Sequence, residues 1–251
     1  MSDIKIGTRA EWLAAREKLL AQEKAHTRLG DELAQARREL PWVPVDKDYR
    51  FDTDGGPQTL GDLFAGRSQL LIYHFMFGPS YTAGDPVNSS IADTIDAVLP
   101  HLHARDVTFV LLSQAPLDKL EAYRRRMRWA IPWVSAAPGE FNRDLGFSRS
   151  IDQSRHNLAQ TTEAALPPIV ASNAAATGTD IVGYLTEDPG FSAFARDRDG
   201  TVYHTYSTTW RGLEFVMGYY PILDHAPNGR NEGNDWQVWL RRHDEYDTVT
   251  R

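Results

Sequence analysis

The feature that most constrains the fold of this chain is a near-continuous apolar run at residues 69–77, QLLIYHFMF. It has the length of a strand, and its lack of apolar–polar alternation is typical of a strand buried on both faces of a parallel sheet. Residues 107–112 form a second such run, and residues 132–135 form a short third one. Because parallel strands need a crossover connection, we expect a helix after each of the first two runs.

The segments between and after these strands support this order. Residues 89–103 and 116–129 carry apolar residues at helical spacing. Two further strands, at residues 191–195 and 201–207, flank an Asp-Arg-Asp-Gly turn and indicate a hairpin, and a last helix follows at residues 210–220. This order predicts an α/β fold with a thioredoxin-like central mixed sheet flanked by helices.

A long N-terminal helix is predicted outside the sheet. Apolar residues and His26 recur at spacings of three and four over residues 9–40, and Pro41 ends the pattern. Residues 148–185 have weak periodicity and are predicted to be an insertion or a flexible segment. The predicted organisation is an N-terminal helical extension with an extended arm (1–56), a thioredoxin-like domain (57–224) and a polar C-terminal tail (225–251).

Composition excludes several classes of protein. The 251 residues include no cysteine, which removes disulfides, thiolate metal ligands, iron–sulfur clusters and cysteine nucleophiles. The net charge of −7 argues against nucleic acid as a partner. No apolar run approaches the roughly 20 residues of a membrane span. Since the N-terminus also lacks a signal-peptide pattern, we expect a cytoplasmic protein with no membrane partner.

Over roughly residues 57–222, the order of elements resembles the thioredoxin and peroxiredoxin superfamily. In that superfamily the active-site loop follows the first core strand and opens a helix, and here this loop reads GPSYTAGDPVNSS. A proline that is commonly cis precedes the hairpin and faces the loop. The resemblance places this proline at Pro189 and implies a cis Asp188–Pro189 bond.

A closer resemblance covers nearly the whole chain. Four stretches carry it: EKAHTRLGDELAQARRELPWVPV, HFMFGP, QAPLDKLEAYRRRMRW with IPWVS, and DPGFSAFARDRDGTVYHTYSTTWRG. They are similar to an uncharacterised bacterial thioredoxin-like family, sometimes described as predicted dithiol-disulfide isomerases. Many members carry Gly-Cys-Pro-x-Cys-Ser where this chain has GDPVNS at residues 84–89. The resemblance implies the scaffold of a cysteine-less member, and the disulfide activity does not carry over because Asp85 and Asn88 replace both cysteines.

Asp85 is the first candidate functional residue. It lies at the predicted N-terminus of a helix, where unpaired N–H groups and the helix dipole favour negative charge. Asp85 and Asn88 are both good N-cap residues, so capping alone is one explanation. The alternative is that Asp85 is an acid/base, a metal ligand or a polar anchor for a ligand. Tyr81 and Arg211 are further catalytic candidates, with packing as the plainer explanation for both, and Arg211 could bind an acidic ligand.

Three histidines lie inside apolar patterns: His26 in the first helix, His74 in the first core strand and His204 in the returning hairpin strand. A histidine in such a pattern is usually a hydrogen-bonded core residue. Three from separate elements also suit a site for copper, iron or zinc, because imidazole is a common neutral ligand for these metals. No local ligand spacing favours the metal site, so both interpretations stay open.

Two functions therefore remain. The first is a repurposed enzyme that acts on a small-molecule substrate, with Asp85 and the three histidines in the former redox pocket. A metal-dependent oxidoreductase is one form of this first function. The second is a redox-inactive binding or scaffold protein that holds a protein segment in the groove beside Pro189. The common motifs of nucleotide-binding proteins, serine hydrolases and zinc proteases are absent.

Overall fold

The computed structural model describes residues 5–161, 166–233 and 236–246, and the chain divides into two compact units, Met1–Trp42 and Val43–Arg251. The first unit contains helix α1, Arg9–Arg38, which Thr8 caps together with Glu11. The predicted helix is thus confirmed. None of its side chains is buried, so the apolar stripe that includes His26 does not form a core.

The second unit contains an eight-stranded mixed sheet. Its order is β1-β8-β7-β4-β5-β6-β2-β3, with β4, β5 and β6 parallel and the other pairs antiparallel. The four strands β8-β7-β4-β5 give the thioredoxin-like arrangement, since the hairpin lies beside the first core strand. The strands are β1 Val43–Pro44, β2 Arg50–Thr53, β3 Gly56–Thr59, β4 Gln69–His74, β5 Val107–Ser113, β6 Trp133–Ser135, β7 Gly190–Arg196 and β8 Val202–Thr209.

Helices cover both faces of this sheet. The first crossover helix begins after Asp85, where Pro86 occupies the first helical turn, a position that needs no backbone N–H. The helices are α2 Pro86–Asp96, α3 Leu99–His103, α4 Leu117–Met127, α5 Phe141–Asp144, α6 Ile151–Ala159, α7 Pro168–Thr177, α8 Ile181–Tyr184 and α9 Tyr219–Asp224. Within the described residues, no helix combines the length and apolarity needed to cross a bilayer.

The two faces of the sheet carry separate apolar cores. Tyr73 belongs to the larger core, whereas Leu70 and Ile72 belong to the other. This division follows from the alternation of side chains along a strand. His74 packs its ring against Phe141 of the second core, with ring centroids 6.1 Å apart. Consecutive residues of β4 therefore serve opposite faces of the sheet.

One expectation about chain organisation needs correction, and the structure gives detail for two further segments. Residues 43–59 pair into the sheet, so the first unit ends at residue 42 rather than at 56. The segment 148–185 contains helices α6, α7 and α8. The tail beyond residue 225 packs on the domain, since Leu240 and Arg242 are buried. Periodicity is weak in residues 148–185 because helices α6, α7 and α8 are short, with nine, ten and four residues.

The expected cis Asp188–Pro189 bond was also wrong, because no cis peptide bond occurs in the described part of the chain. The residue after Pro189 is Gly190, and its lack of a side chain lets the ring of Phe147 lie close to the backbone. A Cβ atom there would lie 2.1 Å from the Phe147 ring, which stacks on His74 with ring centroids 4.0 Å apart. Gly190 and His74 are paired across β7 and β4, so the absent side chain makes room for the stacked pair.

Candidate functional site

A small cavity of about 60 Å³ lies where β4 meets α2. Tyr73 in β4, Asp85 at the start of α2 and Pro189 before β7 all line it. This is the location that the superfamily resemblance implies for the active-site loop. Most of the remaining wall is apolar, formed by Met76, Val87, Ile91, Ile169, Val170, Trp210, Leu213, Met217 and Trp236.

Asp85 is completely buried at the N-terminus of α2 and forms the N-cap of this helix. Its Oδ1 accepts hydrogen bonds from the backbone N–H of Asn88 at 2.8 Å and from Asn88 Nδ2 at 2.7 Å. Its Oδ2 accepts a hydrogen bond from the hydroxyl of Tyr184 at 2.9 Å. Asp85 therefore caps the helix and also presents its second oxygen to the cavity wall.

The side chains of Asp85 and Asn88 contact each other directly. Besides donating to Asp85, Asn88 uses its Oδ1 to accept hydrogen bonds from the hydroxyl of Tyr73 at 2.8 Å and from the backbone N–H of Met76 at 3.1 Å. A hydrogen-bonded Asp–Asn pair thus opens helix α2. Because Asn88 is fixed on both sides, it holds the carboxyl of Asp85 in one orientation.

Burial raises the pKa of the Asp85 carboxyl above its ordinary value, because the charged form is poorly solvated in the protein interior. The hydrogen bonds from Asn88 and Tyr184 and the charge of Arg242 oppose this effect. The guanidinium of Arg242 is buried and donates to the carbonyl oxygen of Gly84 at 2.7 Å. Since Oδ1 already accepts two N–H groups, Oδ2 is the oxygen that gains or loses the proton.

Sequence reasoning missed two polar residues of this cavity. Tyr184 is buried, and its hydroxyl accepts a hydrogen bond from Asn173 Nδ2 at 3.3 Å. Both belong to the segment that we expected to be an insertion. Tyr184 lies five residues before Pro189, and this spacing was the one signal that could have placed it near the active-site loop.

Tyr81 is buried but does not line the cavity. Its hydroxyl donates to the backbone carbonyl of Tyr184 at 2.6 Å, and the two rings stack with centroids 6.0 Å apart. Because both its ring and its hydroxyl are engaged by Tyr184, Tyr81 positions that residue. Tyr184, and not the catalytic candidate Tyr81, contacts Asp85.

Arg211 also lies away from the cavity wall. Its side chain is 75% exposed and forms an ion pair with Glu214 at 2.8 Å. Its neighbour Trp210 lines the cavity, while Arg211 extends into solvent. An exposed and paired guanidinium contributes little as an anion anchor, since water and salt screen its charge.

His74 is buried on the opposite face of the sheet from Asp85. Its Nδ1 is 2.7 Å from Asn142 Oδ1, and its Nε2 is 2.8 Å from the hydroxyl of Ser192. Burial lowers the pKa of His74 to about 3, so the imidazole is neutral at neutral pH. The predicted single pocket that combined Asp85 with His74 is therefore split by the sheet, because side chains alternate along β4.

His204 is half-buried in β8 and is connected to His74 through two serines. Its Nε2 is 2.7 Å from the hydroxyl of Ser207, which is 2.8 Å from the hydroxyl of Ser192. Burial lowers the pKa of His204 as well. Two serine hydroxyls thus connect His74 with His204.

This connection does not favour a metal site. Both ring nitrogens of His74 are already hydrogen-bonded, and His26 is exposed on α1 in the other unit. Within the part of the chain that the structure describes, no group of three His, Asp or Glu side chains is arranged to hold a metal ion. Metal ligation by His26, His74 and His204 stays a prediction without support from this geometry.

The fold and the site define a thioredoxin-like protein whose active-site loop contains no thiol. The family model described as "Bacterial protein of unknown function (DUF899)" matches residues 1–246. The chain belongs to this family. No curated protein matches it.

Several solved structures of peroxiredoxins are similar to this chain. Peroxidoxin BcpB from Mycobacterium tuberculosis is 14% identical, with 71% of this chain and 93% of that one covered and a TM-score of 0.43. A cysteine-to-serine variant of peroxiredoxin Q from Xanthomonas campestris is 16% identical, with 75% and 97% covered and a TM-score of 0.42. A variant of peroxiredoxin 6 from Arenicola marina is 12% identical, with 73% and 74% covered and a TM-score of 0.43. At these identities no function is transferred.

The Asp85–Asn88 pair allows a test of the dithiol position that the family resemblance implies. We expect the double substitution D85C/N88C to form an intramolecular disulfide. The two native side chains already contact each other at the start of α2, where Asn88 Nδ2 lies 2.7 Å from Asp85 Oδ1. Mass spectrometry with thiol alkylation should show two protected sulfurs that react only after reduction. The single variant D85C, which has no partner thiol, is the control and should alkylate without reduction. Two free thiols in a folded, oxidised double variant would contradict the implied dithiol position.

Proposed function

We propose that this protein is a thiol-free enzyme that uses the buried carboxyl of Asp85 as a general acid/base toward a small, uncharged molecule. The observation that carries this proposal is the placement of the carboxyl. It is fully buried, lines a cavity, and directs Oδ2 toward the hydroxyl of Tyr184. Buried carboxyls with a raised pKa are typical of catalytic acids and bases, because they exchange protons near neutral pH.

The surroundings of Asp85 favour proton transfer over simple capping. A capping residue needs one oxygen, and Asn88 satisfies Oδ1 through two N–H groups. Oδ2 has one partner, the hydroxyl of Tyr184, which can accept as well as donate. A ligand in the cavity can therefore exchange a proton with Oδ2 while Oδ1 stays fixed. The carboxyl takes a proton from one atom of the ligand and returns it to another, so no external reductant or oxidant is needed.

The cavity also restricts the substrate class. Its volume of about 60 Å³ and its apolar wall admit a molecule of only a few non-hydrogen atoms. Its polar groups include Asp85, Asn88, Asn173 and the hydroxyls of Tyr73 and Tyr184, and the side chains of Glu214 and Gln237 complete the polar part of the wall. They suit an uncharged carbonyl or hydroxyl group next to a short apolar part. Proton abstraction next to a carbonyl is the reaction class that fits this combination.

The test is hydrogen–deuterium exchange on small ketones. Acetone and butanone are incubated with the protein in deuterated buffer, and exchange beside the carbonyl is followed by NMR. We expect D85N to lower the exchange rate by about 100-fold or more, because the amide keeps the shape of the carboxylate and cannot accept the proton. D93N, on the same helix but outside the cavity wall, should exchange at the wild-type rate.

A second function, binding without catalysis, is favoured by the apolar residues beside Pro189. Trp210 lines the same cavity and is half-exposed, as expected for a groove that holds a partner segment. Equal ketone exchange in wild-type protein and D85N would overturn the enzyme proposal and leave this function. A metal-dependent oxidoreductase with copper, iron or zinc on the three histidines stays a prediction, and elemental analysis beside a H74A/H204A variant tests it.

A further inference from the structure

A second pocket, here called the Glu187 pocket, lies beside the ends of β4 and β5 and shares no lining residue with the Asp85 cavity. It measures about 230 Å³. In sheets with parallel strands, ligands commonly bind beyond the carboxyl ends of the strands, which is where this pocket opens. Most of the residues that line it are of polar type, and they are Pro79, Ser80, Gln114, Arg143, Ser148, Arg149, Ser150, Ile151, Thr186 and Glu187.

Glu187 is a buried carboxyl in the wall of this pocket, only 3% exposed. Ser148 contacts its Oε2 at 2.6 Å. Burial raises the pKa of Glu187 to about 8, while the Ser148 hydrogen bond and the charges of Arg149 and Arg143 oppose this rise. The carboxyl therefore carries a proton at neutral pH and can donate a hydrogen bond. The hydroxyl of Tyr81 is a further titratable group near it.

Gln114 supplies an unpaired donor in the same wall. The residue is 7% exposed, and its Nε2 has no hydrogen-bond partner among the described residues. A buried amide without a partner is costly, so such groups are usually satisfied by an ion, a water or a ligand. The unpaired amide of Gln114 thus points to an acceptor group that binds in the pocket.

The charged residues of the pocket are cationic. Arg143 is exposed, and its guanidinium forms no ion pair with any residue in the described ranges. Arg149 pairs with Asp188, which lies outside the pocket wall. Ser150, the N-cap of the nine-residue helix α6, adds the positive end of a helix dipole. The charge and the free donors favour an anion.

We propose that the Glu187 pocket binds a small carboxylate, held between the guanidinium of Arg143, the amide of Gln114 and the carboxyl of Glu187. All three donate hydrogen bonds, and a carboxylate offers two oxygens with several acceptor positions in one plane. A carboxyl and a carboxylate share a proton readily, which a cationic or uncharged ligand cannot do here. This site is independent of Asp85 and goes beyond the proposed function.

A chain of hydrogen bonds fixes the inner wall of this pocket. Asn142 Nδ2 donates to the hydroxyl of Ser148 at 3.1 Å, and Asn142 Oδ1 contacts His74 at 2.7 Å. The chain continues through two serines to His204. Neutral His74 has one N–H, which can donate to Asn142 Oδ1, and Asn142 donates through Nδ2 to Ser148. Each hydrogen bond of the chain can therefore be donated in the direction of Glu187. The serine beside Glu187 is therefore held in place before any ligand binds.

The experiment is a titration with sodium acetate, followed by the side-chain amide signal of Gln114 in ¹H–¹⁵N spectra. Acetamide, the uncharged analogue, and inorganic phosphate are the comparison probes. We expect acetate to shift the Gln114 signal and to bind at least about ten-fold more tightly at about pH 6 than at about pH 9.5, because ionised Glu187 repels it at high pH. R143M should weaken binding by about ten-fold, and R155M, on the exposed part of α6, should not.

E187Q separates the role of the proton from that of the pocket. The amide keeps a donor in the same place at every pH, so acetate binding should persist and lose its pH dependence. Acetate binding that is unaffected by R143M, binding of phosphate alone, or equal binding of acetamide would each overturn the proposal. D85N should leave acetate binding unchanged, which distinguishes failure here from failure of the proposed enzyme activity.

Discussion

Replacing His74 by alanine is expected to lower the free energy of unfolding by about 4 kcal/mol. The substitution leaves a void beside the rings of Phe141 and Phe147, between which the imidazole lies. It also removes one hydrogen-bond partner from Asn142 and one from Ser192, both of which are buried. Urea unfolding followed by circular dichroism, at a pH near neutral, measures the difference.

H103A provides the matched control for this prediction. His103 is exposed at the end of α3 and packs in neither core. We expect its substitution to change the free energy of unfolding by less than about 0.5 kcal/mol. S192A removes only the hydroxyl, and its free energy of unfolding should lie between those of H74A and H103A. If H74A and H103A were equally stable, His74 would not be the central member of the chain that connects Glu187 to His204.

The stability of the protein should also depend on pH through Glu187, with the loss at the alkaline side. Burial raises the pKa of Glu187 from its ordinary 4.5 to about 8. Below about 4.5 the carboxyl is protonated in both folded and unfolded chains, and its contribution is fully present. As pH rises toward 8 the unfolded chain releases the proton and the folded chain retains it, so stability falls. The total loss is on the order of 5 kcal/mol, at about 1.4 kcal/mol for each pH unit.

The variant E187Q isolates this contribution. Burial lowers the pKa of His74 to about 3, so His74 affects stability with the opposite sign. Its contribution to the stability of the protein is fully present above pH 6.5 and is lost as the pH falls toward 3. The His74 effect cancels when E187Q is compared with wild type. The difference in their free energies of unfolding should change by on the order of 5 kcal/mol in favour of E187Q between pH 4.5 and 8. E140Q, at an exposed carboxylate, is the control and should show almost no change. A difference that stays constant with pH would mean that Glu187 is ionised in the folded protein.

Part of the candidate site was predictable from the sequence. Asp85 follows a buried strand and opens a helix, and both facts come from local patterns in the chain. The interpretation of His74 as a buried, hydrogen-bonded residue was likewise available from its place in an apolar strand. The rest depends on distant contacts. Tyr184 bonds to Asp85 across 99 residues, from a segment whose short helices leave no clear periodicity.

The predicted grouping of residues failed for a simple geometric reason. We placed Asp85 and His74 in one pocket because the loop follows directly on the strand that contains His74. Side chains alternate along a strand, so Tyr73 turns to the Asp85 cavity while His74 turns to the other core. Counting alternate residues from the loop would have separated the two sites. His26 could not be placed at all, since its helix belongs to another unit.

The sequence by itself determined the thioredoxin-like order of strands and helices, the absence of thiol chemistry and the capping of α2 by Asp85. Each of these follows from residue composition or from patterns within a few turns of chain. Only the tertiary structure decided that Tyr184 rather than Tyr81 faces Asp85, that the histidines connect through serines, and that Glu187 lies beside Arg143 and Gln114. Those contacts arise from the packing of separate elements, and no local pattern records which side chains will share a cavity.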